Sequence, residues 1–365
     1  MIQLLLTRAH GSGSDALWPI KTETLGTGMV CFQESKIPVV EVYAMLMKYV
    51  YEYALQLWRA APVRVAVLTP ETCPDEITKA LQHISYLIDI PLFVAPLSTA
   101  CLFAHRDTSG SDAFTEAIWK KGHPVLVHDF GATKLSVSCL VIEHNEPVLV
   151  ATQCHYDLGG QDFDNCIVQI ILDEAKAKNV SHVGDPLNFF KVRNAAIQAK
   201  YELSFVEDIG LSLIIESPDD AVEGTALDLH LTRRFFEEKA ATYFTRALNV
   251  VEAVMRQAQN IRSTVNWSEC ICIAAGGCIV IPKVRTDLRK LIPSGVQQRN
   301  ILYGDTLLVS KAGAAAWAYM QPIPGLSDSD KHMLTDTKKD LQERLRVWQA
   351  TRESQVSKHT ILQQN

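Results

Sequence analysis

Three consecutive strand patterns between residues 124 and 155 constrain the fold of this chain more than any other feature. They read PVLVHDF, KLSVSCLVIE and PVLVATQCH, and the sequence HNEP forms the turn that leads from the second into the third. Apolar strands joined by short polar turns are typical of antiparallel sheets. The first turn places Gly131, Ala132 and Thr133 directly after Asp129, so the sequence predicts a hairpin whose tip could hold a phosphate group.

The segments on both sides of these strands alternate between strand and helix patterns. Before them, the sequence predicts a buried helix over 40–59, a strand over 63–70, a helix that starts at Pro74, and a further strand and helix up to Arg106. After them, it predicts helices over 161–178 and 186–203, a strand near 211–217, a long helical segment from Thr232, a strand over 268–274, and helices that start at Pro282 and near residue 306. This alternation indicates an α/β fold.

Composition and charge restrict the class of protein. The chain has 365 residues, of which 47% are hydrophobic, so it has enough apolar material for two lobes with their own cores. A net charge of −6 gives no basic surface that would favour nucleic acid or an anionic membrane as a partner. No apolar run approaches the roughly 18 residues of a membrane helix, and the N-terminal apolar run is too short for a signal peptide. We therefore expect a cytoplasmic protein with neither nucleic acid nor a membrane as partner.

The cysteines predict reduced thiols rather than disulfides. Their number, nine, is odd, and none of them forms a CxxC pair. Cys270 and Cys272 occupy alternate positions of a predicted strand, where a small core side chain is the simpler interpretation and a metal or redox role is the alternative.

Four segments, taken in order, carry a resemblance to a known family. They are DFGATKLSVS (129–138), YDLGGQDFDN (156–165), LTRRFFEE (231–238) and AAGGCIVIPKV (274–284). Together they resemble the nucleotide-binding domain of the 70-kilodalton heat-shock chaperone family, over about residues 35–320. The resemblance implies an actin-like ATPase fold of the ribonuclease H type, with ATP or ADP and Mg²⁺ between two lobes. It also implies a chaperone function in protein folding or the stress response.

The resemblance also predicts how the chain divides. Residues 1–120 would form a partial lobe I, residues 121–305 lobe II with an inserted subdomain at about 159–240, and residues 306–322 a helix that returns to lobe I. Lobe I is expected to be incomplete, because nothing before Leu25 resembles the family's first phosphate hairpin. Residues 323–365 form a charged amphipathic tail, for which a solvated helix and a partner-binding helix are both open.

The resemblance assigns candidate site residues one by one. Asp129, Gly131, Ala132 and Thr133 match the second phosphate hairpin, and Asp129 would orient water on the metal. The other matched positions are Gly159 and Gly160 beside the sugar and phosphates, Lys200 and Ser204 at the adenosine, and Gly276 and Gly277 in the turn that makes room for the nucleoside.

Other positions depart from the family pattern, so no catalytic residue is assigned. The family's second metal-orienting Asp is Ser136 here, its catalytic Glu is Pro96, and its adenosine-face Glu and Arg are Ile197 and Tyr201. Losing one charge-stabilising group commonly costs about 10²–10³ in rate, so we expect a pseudo-ATPase with weak or absent hydrolysis. The alternative is a non-enzymatic interaction or scaffold module that binds co-chaperones or client proteins without nucleotide.

Several charged side chains allow two interpretations from sequence. His128 could be a general base, but a histidine at the end of a strand is more often structural. Lys134 could bind phosphate, but a solvated charge at the hairpin tip is the favoured role. Asp162 and Asp164 both lie in the first turn of a predicted helix, where helix capping is the favoured role.

Overall fold

The structure of the chain is a computed structural model that describes most residues between 29 and 292. The described residues are 29–32, 35–59, 65–71, 75–104, 119, 122–144, 146–218, 223–292, 301–302, 314 and several positions between 328 and 343. The chain divides into two compact units. The first takes in the chain up to Thr69, then Cys73–Leu97 and the chain from Ala314 onward; the second takes in Pro70–Thr72 and Ser98–Gly313. The lobe boundaries given above stay a prediction.

The first unit is built on two small sheets and two helices. Strands β1 (Met29–Phe32) and β2 (Ser35–Pro38) pair antiparallel and lead into helix α1 (Val39–Trp58). Strands β3 (Val65–Thr69) and β4 (Leu92–Pro96) pair in parallel, and helix α2 (Asp75–Ile88) connects them. Its core contains buried apolar residues from α1, α2, β4 and the turn between α2 and β4: Ala44, Leu81, Ile84, Leu87, Ile88, Ile90 and Leu92.

Within this first unit, Lys338 of the tail contacts the end of α2. The ammonium of Lys338 pairs with the carboxylate of Asp89 and lies 4.5 Å from the ring centre of Tyr86. Described tail positions such as Asp336 and Lys339 are helical, as the sequence predicts. The apolar positions Leu334, Leu341, Leu345 and Trp348, and most of the helix predicted over 306–320, lie outside the described residues.

The second unit is built on a five-stranded mixed sheet with the order β11-β10-β5-β6-β7. Its strands are β5 (Pro124–Phe130), β6 (Leu135–Glu143), β7 (Glu146–His155), β10 (Ile271–Ala275) and β11 (Ile301–Leu302). The three consecutive strands predicted from sequence pair antiparallel in chain order, whereas β10 runs parallel to β5 and β11. Helix α3 (Leu97–Phe103) precedes this sheet in the chain.

Helices and a second hairpin pack around this sheet. They are α4 (Gly160–Ala177), α5 (Pro186–Leu203), the hairpin β8 (Asp208–Ile215) and β9 (Thr225–Thr232), α6 (Arg233–Lys239), α7 (Ala241–Ile261) and α8 (Pro282–Leu291). Phe163 of α4 is fully buried at the centre of an aromatic cluster. Its ring centre lies 5.7 Å from that of Phe130, 6.2 Å from Phe236 and 4.8 Å from Phe244. The motif GGQDFDN therefore supplies the core that joins the hairpin to α6 and α7.

Two local predictions are wrong. Strand β9 was not predicted, because its pattern TALDLHLT alternates over a surface that is largely exposed and carries few large apolar residues. The long helical segment predicted from Thr232 is divided into two helices that meet at Ala240, although FFEEKAATYF contains neither Gly nor Pro to signal a break. Within the described part of the chain, no helix combines the length and the apolar character that crossing a membrane requires.

Candidate functional site

The tip of the β5–β6 hairpin is a tight turn formed by residues 131–134. The N–H of Gly131 donates to the carbonyl of Lys134 at 2.9 Å, which closes the turn. Among the described residues, no hydrogen bond uses the N–H of Ala132 or Thr133. Adjacent free N–H groups in a tight turn can form an anion-binding concavity. The tip therefore keeps the donors that a phosphate would need.

The Gly159–Gly160 turn presses directly on this tip. A Cβ on Gly159 would lie 2.6 Å from the carbonyl oxygen of Ala132 and 2.6 Å from the carbonyl carbon of Thr133. The N–H of Gly160 donates to the carbonyl of Gly131 at 2.9 Å, and the N–H of Gln161 donates to that of Ala132 at 2.8 Å. These donors at the start of α4 are thus occupied by the hairpin itself.

The Gly276–Gly277 turn lies against the same hairpin where β5 enters the tip. Gly276 has φ 86°, and a Cβ there would collide with the carbonyl group of Phe130, so both backbone conformation and packing require glycine. The thiol of Cys278 donates to the carbonyl of Gly131 at 3.3 Å. A Cβ on the exposed Gly277, in contrast, would meet no atom within 4 Å. The turn therefore has open space at Gly277, and whether a nucleoside lies there stays a prediction.

Lys200 joins α5 to the start of α4. Its ammonium lies 2.6 Å from Oδ1 of Asp164 and donates to the carbonyl of Gly160 at 3.0 Å. Ser204 lies one turn further along and donates its hydroxyl to the carbonyl of Lys200 at 3.0 Å. Asp162 is the residue that caps α4, accepting from the N–H of Gly159 at 2.7 Å. The capping role predicted for Asp164 is wrong, because its carboxylate is used in the pair with Lys200.

Asp129 and Lys134 form an ion pair at the base of the hairpin. Nζ of Lys134 lies 3.5 Å from Oδ2 of Asp129, and the two side chains expose only 11% and 13% of their surface. Burial raises the pKa of Asp129, and the nearby ammonium of Lys134 opposes that rise. The prediction of a solvated Lys134 is wrong, because the tight turn brings the side chain back over the strand that ends at Phe130.

Glu71 adds a second carboxylate that sequence reasoning missed. It accepts a hydrogen bond from the N–H of Ser98 at 2.8 Å and another from the Ser98 hydroxyl, at the start of α3. Burial raises the pKa of Glu71, and its hydrogen bonds with Ser98 together with the charge of Lys134 lower it. The one sequence signal was its position directly after Pro70, which closes the predicted strand 63–70.

His128 and the thiols have no arrangement for catalysis. His128 is buried, its Nδ1 has no hydrogen-bond partner, and burial lowers its pKa to about 4. Burial raises the pKa of Cys272 to about 12 and that of Cys270 well above its usual value. Neither thiol is part of a disulfide, and both are buried, as predicted for core residues. Within the described ranges, no group of three or more His, Cys, Asp or Glu side chains is arranged to hold a metal.

The structure therefore brings most predicted site residues together around one hairpin tip. Three turns meet there, contributed by residues 131–134, 159–160 and 276–277. Lys200 and Ser204 lie next to them, on α5 and at its end. Whether these residues contact nucleotide stays a prediction, as does the role of Asp129 at a metal.

Comparison with known proteins identifies the family. The family model described as "Hsp70 protein" matches residues 113–315, which is more than half of the chain. A ribosome-associated molecular chaperone of Eremothecium gossypii is 30% identical over 216 residues, covering 59% of this chain and 33% of the relative. The chaperone protein DnaK of Mycoplasmoides gallisepticum is 27% identical over 289 residues, covering 76% of this chain and 45% of the relative.

A third relative agrees with these two. The heat shock cognate 70 kDa protein 3 of Dictyostelium discoideum is 28% identical over 257 residues, covering 69% of this chain and 38% of the relative. The chain thus spans less than half the length of these curated relatives. The predicted fold class, the actin-like ATPase fold of the nucleotide-binding domain, is confirmed by the family match. The chain belongs to the Hsp70 family.

Proposed function

We propose that this chain is a chaperone-related protein whose second unit binds ATP or ADP and hydrolyses it weakly or not at all. The observation that supports this proposal most is the convergence of three turns on the hairpin tip, with free N–H groups on Ala132 and Thr133 and open space at Gly277. Backbone N–H groups in tight turns are the usual donors to nucleotide phosphates.

The residues around the tip have the chemistry that a nucleotide needs. The N–H groups of Ala132 and Thr133 would hold phosphate oxygens, and the ammonium of Lys134 would add a positive charge beside them. The space beside Gly277 would take the sugar or the base. The contacts of Lys200 with Asp164 and with the carbonyl of Gly160 would hold the floor of the site in place rather than reach out to the ligand.

Weak or absent hydrolysis follows from the residues that stand where the family's catalytic groups are expected. Pro96 and Ser136 carry no carboxylate, and Ser136 is buried in β6. Each missing preorganised group removes on the order of 2.7–4 kcal/mol of transition-state stabilisation, and the losses at two positions combine. Bound nucleotide is therefore expected to stay intact over many binding cycles.

Thermal denaturation in the presence of nucleotide tests the binding proposal. A ligand that binds only the native state raises the melting temperature, and at 100 times Kd it adds about 2.7 kcal/mol of stability. The wild-type chain should therefore melt several degrees higher with millimolar ADP or ATP. Gly277→Leu should abolish the shift, because its side chain fills the open space. Gly184→Leu is the matched control, since a Cβ at Gly184 also meets nothing within 4 Å.

A second candidate function, a non-enzymatic interaction module, is favoured by one separate observation. Along α5, large apolar side chains are exposed rather than buried: Leu187, Phe190, Ile197 and Tyr201. Exposed apolar rows of this kind often mark contacts with partner proteins. If ADP and ATP leave the melting temperatures of the wild type and of both glycine variants unchanged, nucleotide binding is refuted and this candidate replaces it.

A further inference from the structure

The chemistry beside Asp129 differs from what a divalent cation needs. Mg²⁺ requires a near-octahedral set of oxygen ligands and is usually held by carboxylates and water. The family resemblance implies Mg²⁺ with the nucleotide and Asp129 at the metal. In this chain, the carboxylate of Asp129 lies 3.5 Å from the ammonium of Lys134. The ammonium therefore already neutralises the carboxylate, and it would repel a divalent cation placed next to Asp129.

The other carboxylates in the surroundings are each already engaged, as far as the described residues go: Asp162 accepts from the N–H of Gly159, and Asp164 pairs with Lys200. In the antiparallel ladder, Asp129 lies opposite Ser136, whose hydroxyl is uncharged. Glu71 is near enough for Lys134 to lower its pKa, but its carboxylate is held by Ser98 at the start of α3. Burial raises the pKa of the thiols of Cys101 and Cys154, and the charge of Lys134 opposes that rise in both. The residues present do not fit Mg²⁺ in this arrangement.

We propose that the ammonium of Lys134 takes the place of the divalent cation beside Asp129. The chain then does not bind Mg²⁺ at this position, and any nucleotide held by the hairpin tip is bound without Mg²⁺. The part that concerns nucleotide rests on the function proposed above, whereas the part that concerns metal does not. Lys134 suits this role because both its side chain and that of Asp129 are largely shielded from water, where a fixed charge pair is least screened.

A metal titration without nucleotide tests the proposal directly. The melting temperature of the wild type should not change when Mg²⁺ is raised to millimolar concentrations. Lys134→Met removes the ammonium and leaves the buried carboxylate of Asp129 without its partner, so this variant should melt about 5 °C or more below the wild type. Added Mg²⁺ should restore much of that loss, because the cation can now approach Asp129.

Two controls and one replacement variant keep this test decisive. Asp129→Asn combined with Lys134→Met removes both charges, so it should be less destabilised than Lys134→Met and should not respond to Mg²⁺. Lys176→Met removes an exposed lysine of α4 and should change neither stability nor the response to Mg²⁺. If Lys134→Met does not fold, Lys134→Gln replaces it. A wild type stabilised by Mg²⁺, or a Lys134 variant that ignores Mg²⁺, would overturn the proposal.

Nucleotide titrations with Mg²⁺ or with EDTA separate this proposal from the proposed function. The wild-type melting temperature should rise at least as much with EDTA as with Mg²⁺, because Mg²⁺ in solution complexes the nucleotide and lowers the concentration of its metal-free form. A shift that occurs only with Mg²⁺ overturns the role of Lys134 and leaves nucleotide binding standing. If neither condition gives a shift, nucleotide binding is refuted, and the metal titration still decides whether Lys134 replaces the cation.

Discussion

Gly159→Ala should destabilise the second unit, because it places one methyl group between two turns that already touch. Its Cβ would lie 2.6 Å from the carbonyl oxygen of Ala132 and 2.6 Å from the carbonyl carbon of Thr133. Both neighbours are backbone atoms, so they cannot rotate away as a flexible side chain could. Gly159 has φ −160°, an extended conformation that alanine adopts readily, so the whole penalty is steric.

The magnitude follows from three contributions. Inserting a methyl group into a close-packed contact costs typically about 1–3 kcal/mol. Moving the turns apart also strains the hydrogen bonds from Gly160 to Gly131 and from Gln161 to Ala132, each of which contributes about 1 kcal/mol. Replacing glycine reduces the freedom of the unfolded chain, which offsets about 0.4–1 kcal/mol. The net loss in the free energy of unfolding is therefore about 2 kcal/mol, or about 4–8 °C in melting temperature for a unit of this size.

Scanning calorimetry of the purified chain measures this loss against a matched control. Gly184→Ala introduces the same methyl group where no atom lies within 4 Å, so only the contribution of the unfolded chain remains and this variant should be more stable than the wild type by about 0.4–1 kcal/mol. Gly159→Ala should also weaken any stabilisation by nucleotide, since it moves the free N–H groups of Ala132 and Thr133. If both variants melt at the same temperature, the two turns do not press on each other as described, and the reasoning about the hairpin tip fails.

Two further predictions concern the core of the same unit. Phe163→Ala should lower the free energy of unfolding by about 3–5 kcal/mol in urea denaturation, because Phe163 is fully buried. Phe190→Ala, at a site that is 62% exposed, should lower it far less. Equal losses would contradict the aromatic cluster around Phe163. The pKa of His128 is lowered to about 4, so the unfolded chain binds a proton that the folded chain does not, and stability should fall as pH falls from 6.5 towards 4, by about 3 kcal/mol at most. His128→Gln should remove that slope, and an unchanged slope would show that other groups cause it.

The elements that sequence predicted well are those whose local pattern agrees with their burial. Strands β5 and β6 are almost wholly buried, and their continuous apolar runs made them plain in sequence. Strand β9 was not predicted, because its largely exposed residues give only a weak hydrophobic pattern. The break at Ala240 escaped because packing around Phe236 and Phe244, not a local breaker, decides where one helix ends and the next begins.

The candidate site could be predicted only as far as backbone shape is concerned. Glycines mark close approaches, and Gly159 and Gly276 lie against the backbone of the hairpin in the structure. Their predicted place beside a nucleotide stays a prediction. The partners of the charged side chains were harder to predict, because they depend on which distant segments of the chain meet. Nothing near Glu71 in sequence indicates Lys134, and nothing near Asp164 indicates Lys200.

Residues shared with the Hsp70 pattern and residues that depart from it have different roles in this structure. Phe163, Asp162, Gly159 and Gly276, which follow the pattern, form the core, the helix cap and the close contacts of the turns. The departures at Lys134, Ile197 and Tyr201 lie beside the hairpin tip or on the surface of α5. The hairpin is also held by the chain's own hydrogen bonds from Gly160 and Gln161. A tip that needs no ligand to order it would lose little conformational entropy on binding, so the proposed binding of nucleotide does not depend on the groups expected for hydrolysis.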